Sequence, residues 1–508
     1  MSVNDHDQKP LLDRTGETVT EAPLSFIDNY APPSSGRSPQ NTWLQTAFYM
    51  TAQMAGVGVL GMPQATQQSG YLGLPLLVVT AAVCMITANL LGSIMMRMDQ
   101  AAIRDYPSIG GAAFGRAGAA LATASQYSTL AGVSVVFLLL AGNFLNGIVC
   151  AVPARFFTVL VGFTMIVLLI AIPVMKVRTD RFSLFFFFFF LSQEVRFLAY
   201  LGVVTTAVAA WYAIVLALVY YFDGPCYNAV PGVAPVCAAC QHDVFQLSIA
   251  SGFSVFSFAF GGHSSIPNFF VEMKHPRHFY RTTAVVYPTV LLLLYLPMAA
   301  VGYVAYGRGL AQSSFNTVLD TILFFQPSQR VSYYVINAVL IVHLLCALPI
   351  ILTPVCLRFQ RALIADKAAR MARSWQMVVV RVSVIASLTV VAIVVPYFLP
   401  MISIVTDISV VFSVYIFPAI FYWKLRTHWR HGAVLTVLQR AGLVLIILYG
   451  LLGSALGLRE AIPGLIGAVQ QTGNPFANIF TFGCPVANAT NSSVPFADSV
   501  CILLNATV

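Results

Sequence analysis

Two stretches of the chain pair clustered glycines with a proline. The first is Ala55-Gly56-Val57-Gly58-Val59-Leu60-Gly61-Met62-Pro63 and the second is Phe260-Gly261-Gly262-His263-Ser264-Ser265-Ile266-Pro267. Gly58 precedes Pro63 by the same interval as Gly262 precedes Pro267. Gly weakens a helix through backbone entropy and Pro removes a donor, so each stretch predicts a break in an otherwise apolar helix. The chemistry on offer is that of backbone N–H and C=O groups rather than of a nucleophile. In hydrocarbon such freed groups persist only where they line a cavity or are buried in protein. Matched breaks in two halves of a chain point to the binding site of an inverted-repeat transporter. Close helix packing, which also favours Gly, is the competing reading for either stretch taken alone.

Ionisable groups inside apolar spans are costly and by default mark function. Asp407 has no Lys or Arg nearby in sequence and is the leading ion-coupling candidate, with an outer-interface position as the alternative. His343 is a second candidate, weighed against a hydrogen-bonded core histidine. Thr353 is the nearby hydroxyl that would serve a sodium site. His263 belongs to the matched motif and is expected in or beside the site. Glu272 and Lys274 read as cytoplasmic-end residues pairing with the loop or each other. No nucleophile–base or metal-ligand spacing appears in a span or loop, so no enzyme, cofactor or metal is expected. Cys237-x-x-Cys240 reads as an external disulfide in preference to a metal or redox site. A membrane-embedded enzyme using His263, His343 and Asp407 is one alternative, and a non-transporting nutrient sensor another. A channel lacks a repeated pore motif or ring of charges.

The elements that would position these residues follow from composition. Of 508 residues, 58% are hydrophobic and only 9% charged, against about 25% charged in soluble domains. A helix crosses the bilayer in about 20 apolar residues. Such stretches recur at 43–67, 72–96, 123–147, 156–175, 198–222, 246–270, 281–306, 331–355, 377–399, 401–423 and 436–458. The fold class is therefore an all-α integral membrane protein of about eleven transmembrane helices. It reads as an inverted 5+5 repeat with helices one and six discontinuous and one extra helix. Residues 1–42 form a disordered cytosolic tail, 43–458 the transmembrane domain, and 459–508 a non-cytoplasmic tail.

Orientation follows from Lys and Arg, which are retained on the cytoplasmic side of short loops. Arg97, Arg104 and Arg116 share a side with Lys176, Arg178, Arg181, Arg196, Lys274, Arg277, Arg281 and the basic loops after Arg358 and Lys424. The opposite loops and tail hold only Arg155, Arg308, Arg330 and Arg459. The N-terminus is thus expected in the cytosol, and the net charge of +9 reflects topology, with no nucleic-acid partner implied. Six of nine cysteines, Cys150, Cys226, Cys237, Cys240, Cys484 and Cys501, fall on the non-cytoplasmic side, where disulfides persist. The N-x-[ST] sequons at Asn488, Asn491 and Asn505 lie there too and are candidate glycosylation sites. Asp7-Gln8-Lys9-Pro10-Leu11-Leu12 resembles an acidic dileucine sorting signal. That leaves the plasma membrane or an endosomal, lysosomal or vesicular membrane as the location. The run Phe185–Phe190 reads as an interfacial anchor or as a gene-model artefact.

Gly56-x-Gly58-x-x-x-x-Pro63 resembles the first-helix signature of the amino acid/auxin permease family. Phe260-Gly261-Gly262-His263-Ser264-x-x-Pro267 resembles another signature of that family. The likeness continues through Glu272-Met273-Lys274-x-Pro276-x-x-Phe279 to Tyr303-x-x-Tyr306-Gly307, and Pro418 matches a proline of the tenth helix. The resemblance covers roughly residues 40–460. It implies a fold like the bacterial leucine transporter and secondary active transport of amino acids, small or neutral ones first. By that likeness Ala55, Gly56, Val57 and Gly58 would take the substrate carboxylate, while Phe260, Gly261, Gly262 and His263 would help take the amino group. A side chain at Gly58 or Gly262 is expected to fill the cavity. Gln53 stands where many relatives have Asn, and Tyr49 where the proton-coupled animal branch often has His. With no clear hydroxyl pair in span eight, protons are the expected coupling ion and sodium the alternative.

Overall fold

The computed structural model describes residues 41–98, 105–149, 152–175, 195–223, 241–311, 317–363, 375–395, 397–426 and 435–472. Among them, regular structure is helical apart from one isolated parallel bridge between Asn41 and Met273. The first expected span is two helices, α1 (Trp43–Met54) and α2 (Met62–Ser69), joined by an extended Gly56 and a 3-10 turn over Val57–Gly61. Next come α3 (Gly73–Arg97), α4 (Tyr106–Ile148), α5 (Ala154–Met175) and α6 (Val195–Asp223). The second half opens with another divided element, α7 (Ile249–Ala259) and α8 (Ile266–Val271). It continues with α9 (Phe279–Val290), a π-helical turn over Leu291–Tyr295, α10 (Leu296–Tyr306), α11 (Val318–Phe325), α12 (Arg330–Leu363) and α13 (Trp375–Val394). Then α14 (Phe398–Val405) passes through π-helical turns into α15 (Phe417–Arg426), and α16 (Val437–Thr472) ends the described chain.

Among the described residues, eight helices are long and apolar enough to cross a membrane, and Ala154–Ile170 is a shorter apolar helix. Both divided elements break where Gly and Pro cluster, as expected. Three boundaries differ from the sequence reading. Helix α4 begins well before residue 123 because its first turns fold back at Phe114–Gly115, where Gly115 takes φ 59°. The break before the tenth span falls between Val394 and Phe398, a few residues ahead of the expected boundary between residues 399 and 401. Helix α16 runs to Thr472, so residues 459–472 are helix and not tail. Its extension is anchored: the Glu460 carboxylate accepts from the backbone N–H of Ser251 at 3.0 Å and from its hydroxyl at 2.7 Å. That carboxylate shares the Ser251 N–H with the Ser248 carbonyl, 3.1 Å away, in the first turn of α7.

Small residues let the spans approach, as membrane packing requires without a hydrophobic drive between helices. A Cβ on Gly302 of α10 would meet the ring of Pro63 at 2.5 Å, and one on Gly92 of α3 would meet Phe279 at 2.5 Å. The half-helices α2 and α7 cross at Gly252, where a Cβ would meet the Ala65 carbonyl at 2.7 Å. The start of α1 and the end of α8 are tied at one end of the molecule. Asn41 N donates to Glu272 O and Lys274 N to Asn41 O, both at 2.9 Å.

Candidate functional site

The two breaks touch each other. A Cβ on Gly58 would lie 3.1 Å from Ala259 Cβ and 3.2 Å from its Cα, so the unwound stretch of the first element packs on the last residue of α7. Space at Gly58 is therefore taken by Ala259 and not by an open cavity, which corrects the sequence expectation. Gly56 is the residue beside open space: a Cβ there would meet only Met54 O, at 3.9 Å. Gly262 adopts φ 135°, a conformation L side chains rarely take, and its Cβ would meet Gln53 Cγ at 2.9 Å. Gly261 N donates to Phe258 O at 2.9 Å, and Gly261 faces Val410.

A free donor and bridged acceptors distinguish the two sides of this junction. The N–H of Gly58 lies in the first turn of the 3-10 helix and meets no acceptor outside that turn among the described residues. A free N–H ahead of the N-terminus of α2 suits an anion. The carbonyls of Met54 and Ala259, ending α1 and α7, both face the hydroxyl of Tyr295, at 2.6 and 2.9 Å. One hydroxyl has one hydrogen, so it donates to one of these carbonyls at a time. Helix C-termini carry partial negative charge and suit a cation. Tyr295 is fully buried, and the π-helical turn ending at it aims its ring at the junction. From α4, Gln126 Nε2 donates to Ser264 O at 3.2 Å, tying down the second break.

His263 points away from this junction. Its Nε2 lies 2.9 Å from Cys84 O and 3.0 Å from Thr87 Oγ1, both on α3. The carbonyl can only accept, so Nε2 carries the hydrogen and Nδ1 is the bare nitrogen, buried without a partner. His263 braces the break against α3 and is not a substrate contact here. Asp407 lies on the other flank of α7, in the π-helical turn Thr406–Val410, and is fully buried. Ser254 Oγ is 2.8 and 3.0 Å from its two carboxyl oxygens, and Ser454 Oγ donates to its backbone carbonyl at 2.7 Å. Among the described residues no cation pairs with it.

The profile of the family described as "Transmembrane amino acid transporter protein" matches residues 39–462. The chain belongs to this family.

The transporter is 25% identical over 458 residues to "Amino acid transporter AVT1E" of Arabidopsis thaliana, covering 87% of this chain and 77% of that one. It is 24% identical to "Amino acid transporter AVT1J" of the same plant, covering 88% and 94% respectively. Its fold matches that of a mutant manganese transporter of Eremococcus coleocola with a TM-score of 0.53 at 12% identity, covering 92% of this chain and 95% of the other. The architecture is leucine-transporter-like, and the protein is a multi-pass membrane protein of a transporter family and not an enzyme.

Several sequence candidates are dispersed in this transporter. His343 is buried between α12, α6 and α4, with Nδ1 3.4 Å from the hydroxyls of Thr205 and Thr206 and its ring beside Phe137. That is a packed core position away from the breaks. Thr353 is exposed on α12, and its hydroxyl donates to Pro349 O at 2.6 Å within its own helix. It therefore offers no ligand to a buried sodium ion. Glu272 pairs with neither Lys274 nor the following loop: Asn41 Nδ2 donates to its Oε2 at 2.9 Å. Asp7, Leu11 and Leu12, Phe185–Phe190, Cys150, Cys226, Cys237, Cys240, Cys484, Cys501 and the sequons Asn488, Asn491 and Asn505 lie outside the described residues. Sequence reasoning missed Tyr295, Ser254 and Gln126. Each is an ordinary polar residue in an apolar run, and no pattern singled it out.

Proposed function

We propose that this protein carries an amino acid across the membrane by alternating access, binding it at the junction of the two helix breaks. One observation carries the reading: the free N–H of Gly58, packed on Ala259, stands in the break that follows the carbonyl end of α1 and beside the carbonyl end of α7. A zwitterion matches that pairing, with its carboxylate at the Gly58 N–H and its ammonium on the carbonyls, in exchange for the Tyr295 hydroxyl on one of them. Open space at Gly56 gives the α-carbon room next to that donor. Small or neutral side chains suit a junction lined by Gly and Ala. Eleven crossings with a cytosolic N-terminus and a glycosylated outer tail complete the arrangement.

Transport is coupled to protons, as a symport. Asp407 is the proton site, because Ser254 links its carboxyl to α7, whose last residue, Ala259, lies at the substrate junction. Proton and amino acid then bias the same rigid half-helix, which is what coupling requires. The sodium alternative loses support because the hydroxyl of Thr353 is spent within its own helix and faces outward.

Uptake of radiolabelled amino acids into proteoliposomes tests both statements, with pH and sodium varied separately. Time-dependent accumulation that rises on outside acidification and survives replacement of sodium by choline is expected. Absence of accumulation for every amino acid would overturn the transport reading and favour a sensor. Uptake that vanishes in choline at every pH would overturn proton coupling.

A further inference from the structure

Asp407 is fully buried, so a proton that reaches it from water needs a route, and the packing of α16 on α7 places a second carboxyl, Glu460, along the same seam. Ser251 and Ser254 are one turn apart on α7; Gly457 and Glu460 are one turn apart on α16. The two rows run side by side. Ser254 Oγ lies within reach of both oxygens of Asp407 and of Ala250 O, donating its one hydrogen to one of them at a time, and Ser251 Oγ donates to Glu460 Oε2 at 2.7 Å. At Gly457 a Cβ would run into Asp407 Oδ2 and would lie 2.6 Å from Ser254 Oγ. A glycine here is what lets α16 approach the carboxyl. Glu460 sits three residues beyond Gly457, roughly 4.5 Å of helix rise, further along the same seam. It is half-buried where Asp407 is fully buried, so it is the more accessible of the two carboxyls.

The surroundings leave these two carboxyls as the titratable pair of the seam. Helices α7 and α14 carry no other titratable side chain. On the turn Phe412–Ile416, the Tyr415 hydroxyl donates to Ser257 Oγ at 2.9 Å and also lies 3.4 Å from Cys84 Sγ. Tyr449 of α16 is bonded to Thr80 at 2.6 Å. From α4, Ser125 and Thr129 reach Ser409 rather than Asp407. Arg116 of α4, Arg440 near the start of α16, and Lys424 and Arg426 of α15 belong to the opposite ends of those helices. Arg459 is exposed on α16 and forms no ion pair with either carboxyl.

We propose that Glu460 is the proton-loading residue of this transporter, taking a proton from the outer side and passing it to Asp407 along the Ser251–Ser254 edge. The balance is a proton exchange: protonated Glu460 and the Asp407 carboxylate become the Glu460 carboxylate and protonated Asp407, and water on the outer side reloads Glu460. This role rests on Asp407 being the coupling site. It differs from a purely structural one, in which Glu460 only caps the first turn of α7.

Glu460→Gln separates the two, since its amide oxygen still accepts from Ser251 but the side chain carries no proton. In proteoliposomes, net uptake driven by a pH gradient should fall about tenfold or more in Glu460→Gln. Exchange of labelled for unlabelled amino acid at equal pH, which needs no net proton movement, should fall far less. Glu460→Asp should recover part of the net rate. Net uptake and pH profile unchanged in Glu460→Gln, with Asp407→Asn flattening the profile, would reduce Glu460 to a helix cap. A pH profile unchanged in Asp407→Asn would overturn the coupling site itself, and the relay with it.

Discussion

The hydroxyl of Tyr295 lies 2.6 Å from the carbonyl oxygen of Met54, the last residue of α1. It also reaches the last carbonyl of α7 at 2.9 Å, so one phenol holds the ends of both broken helices. Tyr295→Phe leaves these buried carbonyls without that donor, at a cost of about 1–3 kcal/mol. The variant should still fold, unfold at a lower temperature, and transport more slowly with altered apparent affinity. Thermal unfolding in detergent and uptake kinetics would check it. Unchanged kinetics would make the phenol a packing element only.

The glycines of the two breaks should respond differently, because they face different things. Gly56→Ala adds a methyl into open space and should preserve folding while weakening substrate affinity. Gly58→Leu should force α7 away through Ala259, and Gly262→Leu is strained by its φ of 135° and by Gln53. Both leucine variants should lose transport, with Gly262→Leu also losing thermal stability. Normal transport by Gly58→Leu and Gly262→Leu would make the breaks structural only.

At the end of the molecule near Arg308, pH should act on stability. The Arg308 guanidinium bonds Asp243 at 2.5 and 2.8 Å and holds its carboxyl at about 2, below its ordinary 3.8. A depressed folded value contributes stability that is present above the unfolded value and lost as pH falls through the folded one. The unfolding temperature of Asp243→Asn should therefore lie below that of the parent at about pH 5, and the gap should close towards about pH 2. Because Arg308 is half exposed, the gap should be small and should shrink in high salt. Differential scanning fluorimetry across that range would measure it.

Topology has its own test. Glycosidase treatment should shift the protein on a gel, and the shift should disappear when Asn488, Asn491 and Asn505 are replaced together. A C-terminal tag reached by antibody only from the cytosol would contradict the assignment.

Membrane class, the places where helices break and the family were legible in the amino-acid order. Each depends on local properties: apolar run length, and Gly and Pro within it. The partners of the site were not legible. Tyr295 and Met54 are 241 residues apart, and Ser254 and Asp407 are 153 apart. Which hydroxyl meets which carbonyl depends on the rotation and approach of whole helices, and hydropathy is blind to both. The same blindness explains Thr353, whose residue type suited an ion site but whose helix turns it outward, and Gly58, whose space is closed by Ala259. The end of α16 was misplaced for a related reason. Arg459 and Glu460 look like the start of a polar tail, yet Glu460 is held by Ser251 of a neighbouring helix, and only the tertiary structure supplies that bond.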